Sequence, residues 1–175
     1  MDLNQFESKL AAVIGRPSNL RPFVCEGSPL DCDVFIVGYN PATDVPGDWW
    51  RFWRQGYGFQ EAVWRPEYLA SREDGEASRT RRKAEKIASA FPSSRFLICN
   101  IDSRPSKRQA DMPKPVTRPF DTFLPLCRPK VILAHGNEAR EHLANHPAVV
   151  GCRHLSRIPN ADFDAVLSSL KQRLG

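Results

Sequence analysis

The stretch VFIVGYNPATD, residues 34–44, decides the fold. Val34, Phe35, Ile36 and Val37 form a short apolar run, β-branched at all but one position, which reads as a fully buried strand ending at Gly38. Tyr39, Asn40 and Pro41 follow at once. In an open parallel sheet ligands bind beyond the carboxyl ends of the strands, so polar groups delivered there are placed for chemistry. Pro41 fixes its own φ and pushes Asn40 out of the helical region, which holds the amide on a short, stiff turn. The same residues also suit a plain turn in which Asn40 caps its own backbone.

Working outward, RFLICN (95–100), KVILAHG (130–136) and VVGCR (149–153) repeat the pattern of a short apolar strand, and the first of them again ends in an Asn. Helical spacing falls between and around them. Leu3, Phe6, Leu10, Val13 and Ile14 share one face before Gly15 and Pro17. Ala84, Ile87, Ala88 and Phe91 share another, with Arg79, Arg81, Arg82 and Lys83 near its start. Those cations read as a solvated face, or as groups that meet phosphates. Phe120, Phe123, Leu124 and Cys127 make a short helix stopped by Pro129, Asn137 caps the next, and Phe163, Val166, Leu167, Leu170 and Leu174 make a last amphipathic one. Strands alternating with helices predict a three-layer α/β/α sandwich around a four-stranded, mostly parallel sheet, as a single domain over residues 1–175.

Three segments resist that scheme. Residues 16–33, rich in Pro, Gly and Ser, read as a loop. GDWWRFWRQGYGF (47–59) places Trp49, Trp50, Phe52, Trp53, Tyr57 and Phe59 so densely that a short helix would point them in every direction, so some are expected to line a cleft or face a partner. Residues 101–119 form a basic loop with Pro105, Pro113, Pro115 and Pro119, longer than a connector needs.

Composition narrows the classes. A net charge of +5 favours a polyanionic partner without demanding one. The 5 cysteines contain no CxxC, and the closest pair, Cys25 and Cys32, has six residues between, which argues against a zinc site or an iron–sulfur cluster. Cys99 reads as a reduced core residue. MDLNQFESKL is neither a basic nor an apolar leader, and no apolar run nears the ~18 residues that span a bilayer, so a cytoplasmic chain without a membrane partner is expected.

The polar groups at the strand exits carry a resemblance. GYNPATD followed by RFW is similar to the first motif of the uracil-DNA glycosylase superfamily, above all its mismatch-specific uracil and thymine branch, with Gly38, Asn40, Pro41, Arg51, Phe52 and Trp53 matching. HLSR resembles the second motif through Leu155, Ser156 and Arg157, and Asn100 stands where that family reads the base. The interval between Asn40-Pro41 and Arg51-Phe52-Trp53 is shorter than in that branch, the segment supplying its stacking aromatic is missing, Ala42 follows Pro41, and His154 replaces a Gly. Trp49 or Trp50 then takes over the stacking. His154 is either a gain of electrophilic assistance or a neutral replacement.

What the resemblance implies is a monofunctional DNA glycosylase for uracil or a related damaged pyrimidine, acting as a monomer on DNA without metal or cofactor. A base inside a duplex must be flipped out, stacked and read. Asn40 is too weak a base to take a proton fully, so its carbonyl oxygen orients a water against C1′, and His154 donates to uracil O2. Gly38, Tyr39, Pro41, Trp50, Phe52 and Asn100 surround the base. Leu155 enters the vacated stack, while Ser156, Arg157, Lys107 and Arg108, with Lys114, track phosphates. The competing classes are a non-catalytic nucleic-acid or nucleotide binding protein that keeps the fold, and a hydrolase of another type. Against the latter, no GxSxG occurs, and His154 and Ser156 stand too far apart in an extended segment for a nucleophile–base pair. Neither GxGxxG nor GxxxxGK[ST] is present, which sets aside a dinucleotide-dependent reductase or a P-loop kinase.

Overall fold

In the computed structural model, which describes residues 1–107, 112 and 114–175, VFIVG is a central strand buried along its whole length. In chain order the strands are β1 (Phe23–Gly27), β2 (Val34–Gly38), β3 (Trp53–Arg54), β4 (Gly58–Gln60), β5 (Phe96–Asn100), β6 (Val131–His135) and β7 (Val149–Cys152). The helices are α1 (Leu3–Ile14), α2 (Glu61–Ala70), α3 (Arg79–Ser89), α4 (Arg118–Cys127), α5 (Asn137–His142) and α6 (Asn160–Leu174). Among the described residues this is an α/β fold with one mixed sheet ordered β3-β4-β1-β5-β2-β6-β7.

The expected strands are all there, side by side and parallel as β5-β2-β6-β7. The count of four is corrected to seven. β1, β3 and β4 extend the sheet antiparallel beyond β5. β1 lies within residues 16–33, which read as a loop, because it ends in Glu26 and Gly27 and buries only alternate residues.

Period-two alternation sends β2 into both layers. Phe35 and Val37 meet Phe6 and Leu10 of α1 and Phe120 and Phe123 of α4 on one face. Val34 and Ile36 meet Ala84 and Ile87 of α3 and Phe163, Val166 and Leu170 of α6 on the other. α1 starts on a capping box in which Asp2 accepts from the Gln5 N–H and the Gln5 side chain accepts from Asp2 N–H. Asn137 proves to be the first residue of α5 rather than its cap, a position taken by Gly136.

The expectation for the aromatic stretch holds at Trp49, which borders the cleft described below, and gives way to packing at Trp50, Phe52, Trp53 and Phe59. The stretch is a short 3₁₀ turn, Trp49–Phe52, followed by the β3–β4 hairpin, and Trp49, Trp50, Phe52, Trp53 and Phe59 are all buried in one cluster. A turn and two antiparallel strands fold the rings back onto one layer, which a helix could not do. Trp49 lies edge-on to Phe23 at 5.1 Å and stacks on Phe59 at 5.3 Å. The solvated reading of the α3 cations fails at Arg81, whose side chain is only 10 % exposed, with its guanidinium over Trp64 at 4.7 Å and 3.6 Å from Glu61. All 5 cysteines are free and buried. Among the described residues no helix is long and apolar enough to cross a membrane.

Candidate functional site

The site follows from strand register. β2 and β5 pair so that Gly38 stands level with Asn100, and β2 and β6 pair so that Val37 stands level with Ala134, which brings His135 beside Gly38. Residues level with one another in a parallel sheet point to the same face. Asn100, Gly38 and His135 therefore form a row across the strand ends, on the α3/α6 face, with the member that lacks a side chain in the middle. The flanking groups lean over it: a methyl at Gly38 would lie 2.7 Å from Asn100 Oδ1, 2.8 Å from His135 Cε1 and 2.9 Å from His135 Nε2. Gly38 is what lets the amide and the imidazole close over one backbone position.

Beyond the row, the turns after β2 and β5 are tied together. Ile101 N–H donates to Gly38 O, Asp102 N–H to Tyr39 O and Ser106 N–H to Pro41 O, at 2.9 to 3.0 Å. Asn40 is fixed by this arrangement, its Nδ2 donating to Ser106 O at 2.8 Å and to Pro41 O at 3.3 Å. Both amide hydrogens are thereby engaged, and the carbonyl oxygen is the atom left to act on something else. Tyr39 donates its hydroxyl to Met112 O at 2.6 Å. Asp102, wholly buried, accepts from Arg104 and from Val116 N–H. Burial raises its pKa, but those donors prevail and hold it below the usual carboxylate range.

Two imidazoles complete the site. His135, 5 % exposed, meets His154 edge-on with ring centroids 4.9 Å apart. Burial first, and the neighbouring His154 second, bring its pKa down to about 3, so it is neutral. His154 opens the short 3₁₀ turn Leu155–Arg157, where its Nδ1 accepts from Ser156 N–H at 3.3 Å and lies 2.8 Å from Ser156 Oγ. With Nδ1 accepting, the proton sits on Nε2, which makes the neutral ring a donor through that nitrogen. Its pKa too is lowered, by burial and then by Arg157, with Glu138 partly opposing.

These groups open into a cleft of ≈ 340 Å³. Of the expected site residues, Tyr39, Asn40, Pro41, Asn100, Lys107 and His154 line it and are brought together. Others are not. Trp50, which donates from Nε1 to Gly15 O, and Phe52, 1 % exposed, sit in the core rather than along the cleft. The wedge expected of Leu155 is corrected as well: it is 0 % exposed, packed with Ala84 and Ile87 under α3, because the turn that presents Ser156 and Arg157 folds the leucine inward. The separation expected between His154 and Ser156 is corrected by the same turn, which brings them into contact. Arg157 is exposed and Lys107 ion-pairs with exposed Glu73 at 3.3 Å. Arg108 lies outside the described residues.

The cleft also holds residues that the sequence reading passed over: His135, Trp64 and Tyr68 of α2, whose rings stack at 4.7 Å, and Arg21. Arg21 braces residues 44–47 through Asp44, Val45 O and Gly47 O. His135 had a usable signal, since it ends its strand as Asn100 does. Among the described residues no cluster of His, Cys, Asp and Glu is arranged to hold a metal. Scanned against protein-family models the chain matches none, and no curated protein sequence matches it.

Proposed function

We propose that this protein is a monofunctional DNA glycosylase that hydrolyses the N-glycosidic bond of uracil, or of a related pyrimidine flipped out of DNA. The observation that carries the reading is the pairing of Asn40, its amide hydrogens spent on Ser106 O and Pro41 O, with a neutral His154 whose proton lies on Nε2, both on one cleft. Hydrolysis at C1′ needs a water held against the sugar and a donor for the charge that develops on the leaving base. The Asn40 carbonyl oxygen orients the water, and the His154 Nε2–H donates to the base carbonyl oxygen. The N1–C1′ electrons leave with the base, water supplies the oxygen that bonds C1′, and its proton passes to solvent or to the departing base. No amine forms an adduct with the sugar. The motif-like segments around Asn40 and His154 and the basic balance of the chain support the same reading.

The test is direct. Purified protein is incubated with uracil-containing single strands and with G:U and G:T duplexes, and abasic sites are revealed by alkali. Asn40→Ala is expected to slow product formation about a hundredfold or more while leaving DNA binding in place. Uracil release unchanged by Asn40→Ala would end the assignment, and DNA affinity without abasic product in the unaltered protein would mark a binding module. One contact favours a second reading: Ser156 Oγ against His154 Nδ1 is the geometry of a nucleophile and its base. The Ser156 N–H donating to the same nitrogen makes it a local cap instead, and labelling of Ser156 by a fluorophosphonate would reverse that judgement.

A further inference from the structure

The row at the strand ends contains one group with no task in the scheme above. His135 lines the cleft, yet its Nδ1 is buried and has no partner among the described residues. A proton on Nδ1 would be a buried donor with nothing to accept it, whereas a bare lone pair there costs less. The proton therefore belongs on Nε2, the nitrogen that closes over Gly38 beside Asn100 Oδ1. An acceptor and a donor stand next to one another, facing the same opening.

We infer that His135 is a specificity-determining residue: Asn100 Oδ1 accepts from N3–H of a bound pyrimidine while the His135 Nε2–H donates to O4, the carbonyl oxygen beside N3 that His154 does not take. The inference rests on the glycosylase reading and names which base that site prefers. The pattern matches the imide edge of uracil or thymine. Cytosine presents the reverse, a bare N3 and a C4 amino group, so acceptor would face acceptor and donor would face donor. Asn100 alone does not enforce the distinction, because a carboxamide can rotate about its terminal bond and exchange donor for acceptor. His135 cannot make that exchange without leaving a proton on its shut-in Nδ1. Its edge-on contact with His154 at 4.9 Å and its 5 % exposure also hold the ring plane. The imidazole thus turns an adaptable reader into a fixed one.

The experiment uses the full chain. Single-turnover excision is compared on uracil- and cytosine-containing strands for the unaltered protein, His135→Phe and His135→Gln. In parallel, free uracil and free cytosine are titrated into protein carrying ¹⁵N-labelled histidine, and the His135 Nε2–H resonance is followed. His135→Phe should slow uracil excision about tenfold to a hundredfold, since one buried donor to the base is lost. His135→Gln, whose amide can rotate, should keep uracil excision within several-fold while gaining measurable release of cytosine. A merely structural role would not produce that gain. Uracil should move the His135 Nε2–H signal and cytosine should not. Unaltered rates and selectivity in both variants overturn the inference while leaving the glycosylase reading intact. If the unaltered protein excises no base, the glycosylase reading fails, and the resonance alone decides the inference: a response to uracil but not cytosine supports it, and an equal or absent response overturns it.

Discussion

Two regions of this chain look chemically loaded in the sequence, and the structure treats them in opposite ways. The aromatic stretch 47–59 has the greater density of large side chains, and it is spent almost entirely on packing. The strand ends at Gly38, Asn100 and His135 carry few polar atoms, and they meet over one backbone position. The difference lies in what the surroundings can satisfy. A tryptophan ring is stabilised by any close-packed apolar neighbourhood, and its single N–H needs only one acceptor, as Trp49 finds at Phe23 O and Trp50 at Gly15 O. An amide or imidazole at the end of a buried strand has no such default. It can be left with an unmet valence, as the buried Nδ1 of His135 is among the described residues.

The largest test of this contrast is on the packing side. Trp49→Ala should destabilise the fold by about 3 to 5 kcal/mol, read by chemical denaturation, because it removes a fully buried ring that touches Phe23, Trp50, Trp53 and Phe59. Trp49 also borders the cleft, so the contrast breaks if the variant keeps its stability and loses only its chemistry. Gly38→Ala probes the other region. Gly38 is not in the left-handed backbone region, so the cost arises from the crowding of Asn100 and His135 by the new methyl, about 1 to 3 kcal/mol. Since those two side chains must part to admit it, excision should fall by more than about tenfold. Equal activity in Gly38→Ala would show that their convergence is incidental.

The sequence made the central part of this arrangement readable and hid the rest for definite reasons. β2 and β6 begin as uninterrupted apolar runs, Val34–Val37 and Val131–Ala134, and burial on both faces leaves no other pattern for them. β1 was not readable because half of its side chains face outward and its partner, β5, is about seventy residues away in sequence. Asn40 and Asn100 were legible as polar residues placed where a buried strand stops. His135 obeys the same rule, but its value depends on register, which only pairing with β2 supplies. Leu155 misled in the opposite direction. Its polar neighbours suggested an exposed turn, whereas a 3₁₀ turn alternates its side chains and puts one of three inside.

A pH experiment sharpens the comparison at smaller amplitude. His135 titrates at about 3 in the folded protein against about 6.5 when unfolded, so below pH 6.5 the unfolded chain binds a proton that the folded chain refuses. Its contribution to stability is complete above pH 6.5 and is lost as the pH falls toward 3, at up to about 1.4 kcal/mol per pH unit. Asp102, held low by Arg104, loses stability on the acid side as well, so the total curve cannot assign the slope. The difference between the unaltered protein and His135→Phe can. That difference should be flat above pH 6.5 and shrink by the stated slope below it, and a difference that stays constant to pH 4 would mean the imidazole is not shielded as described.

The smallest effect concerns how the cleft meets a polyanion. Lys107 lines the cleft, but its ammonium is engaged by Glu73, and both side chains are exposed. A pair so exposed contributes little to stability, so it can exchange one anion for another at almost no cost. If Lys107 tracks the DNA backbone, Lys107→Gln should leave folding unchanged and reduce the slope of log affinity against log salt by about 0.7 to 0.9, the contribution of one phosphate contact on single-stranded or duplex DNA. Glu73→Gln separates this from a general loss of positive charge. It removes the competitor while keeping the lysine, so it should tighten binding by a few-fold at low salt and leave the salt slope as it was. If both substitutions change affinity only through net charge, Lys107 belongs with the solvated surface, and the same pair of measurements passes to exposed Arg157 beside His154.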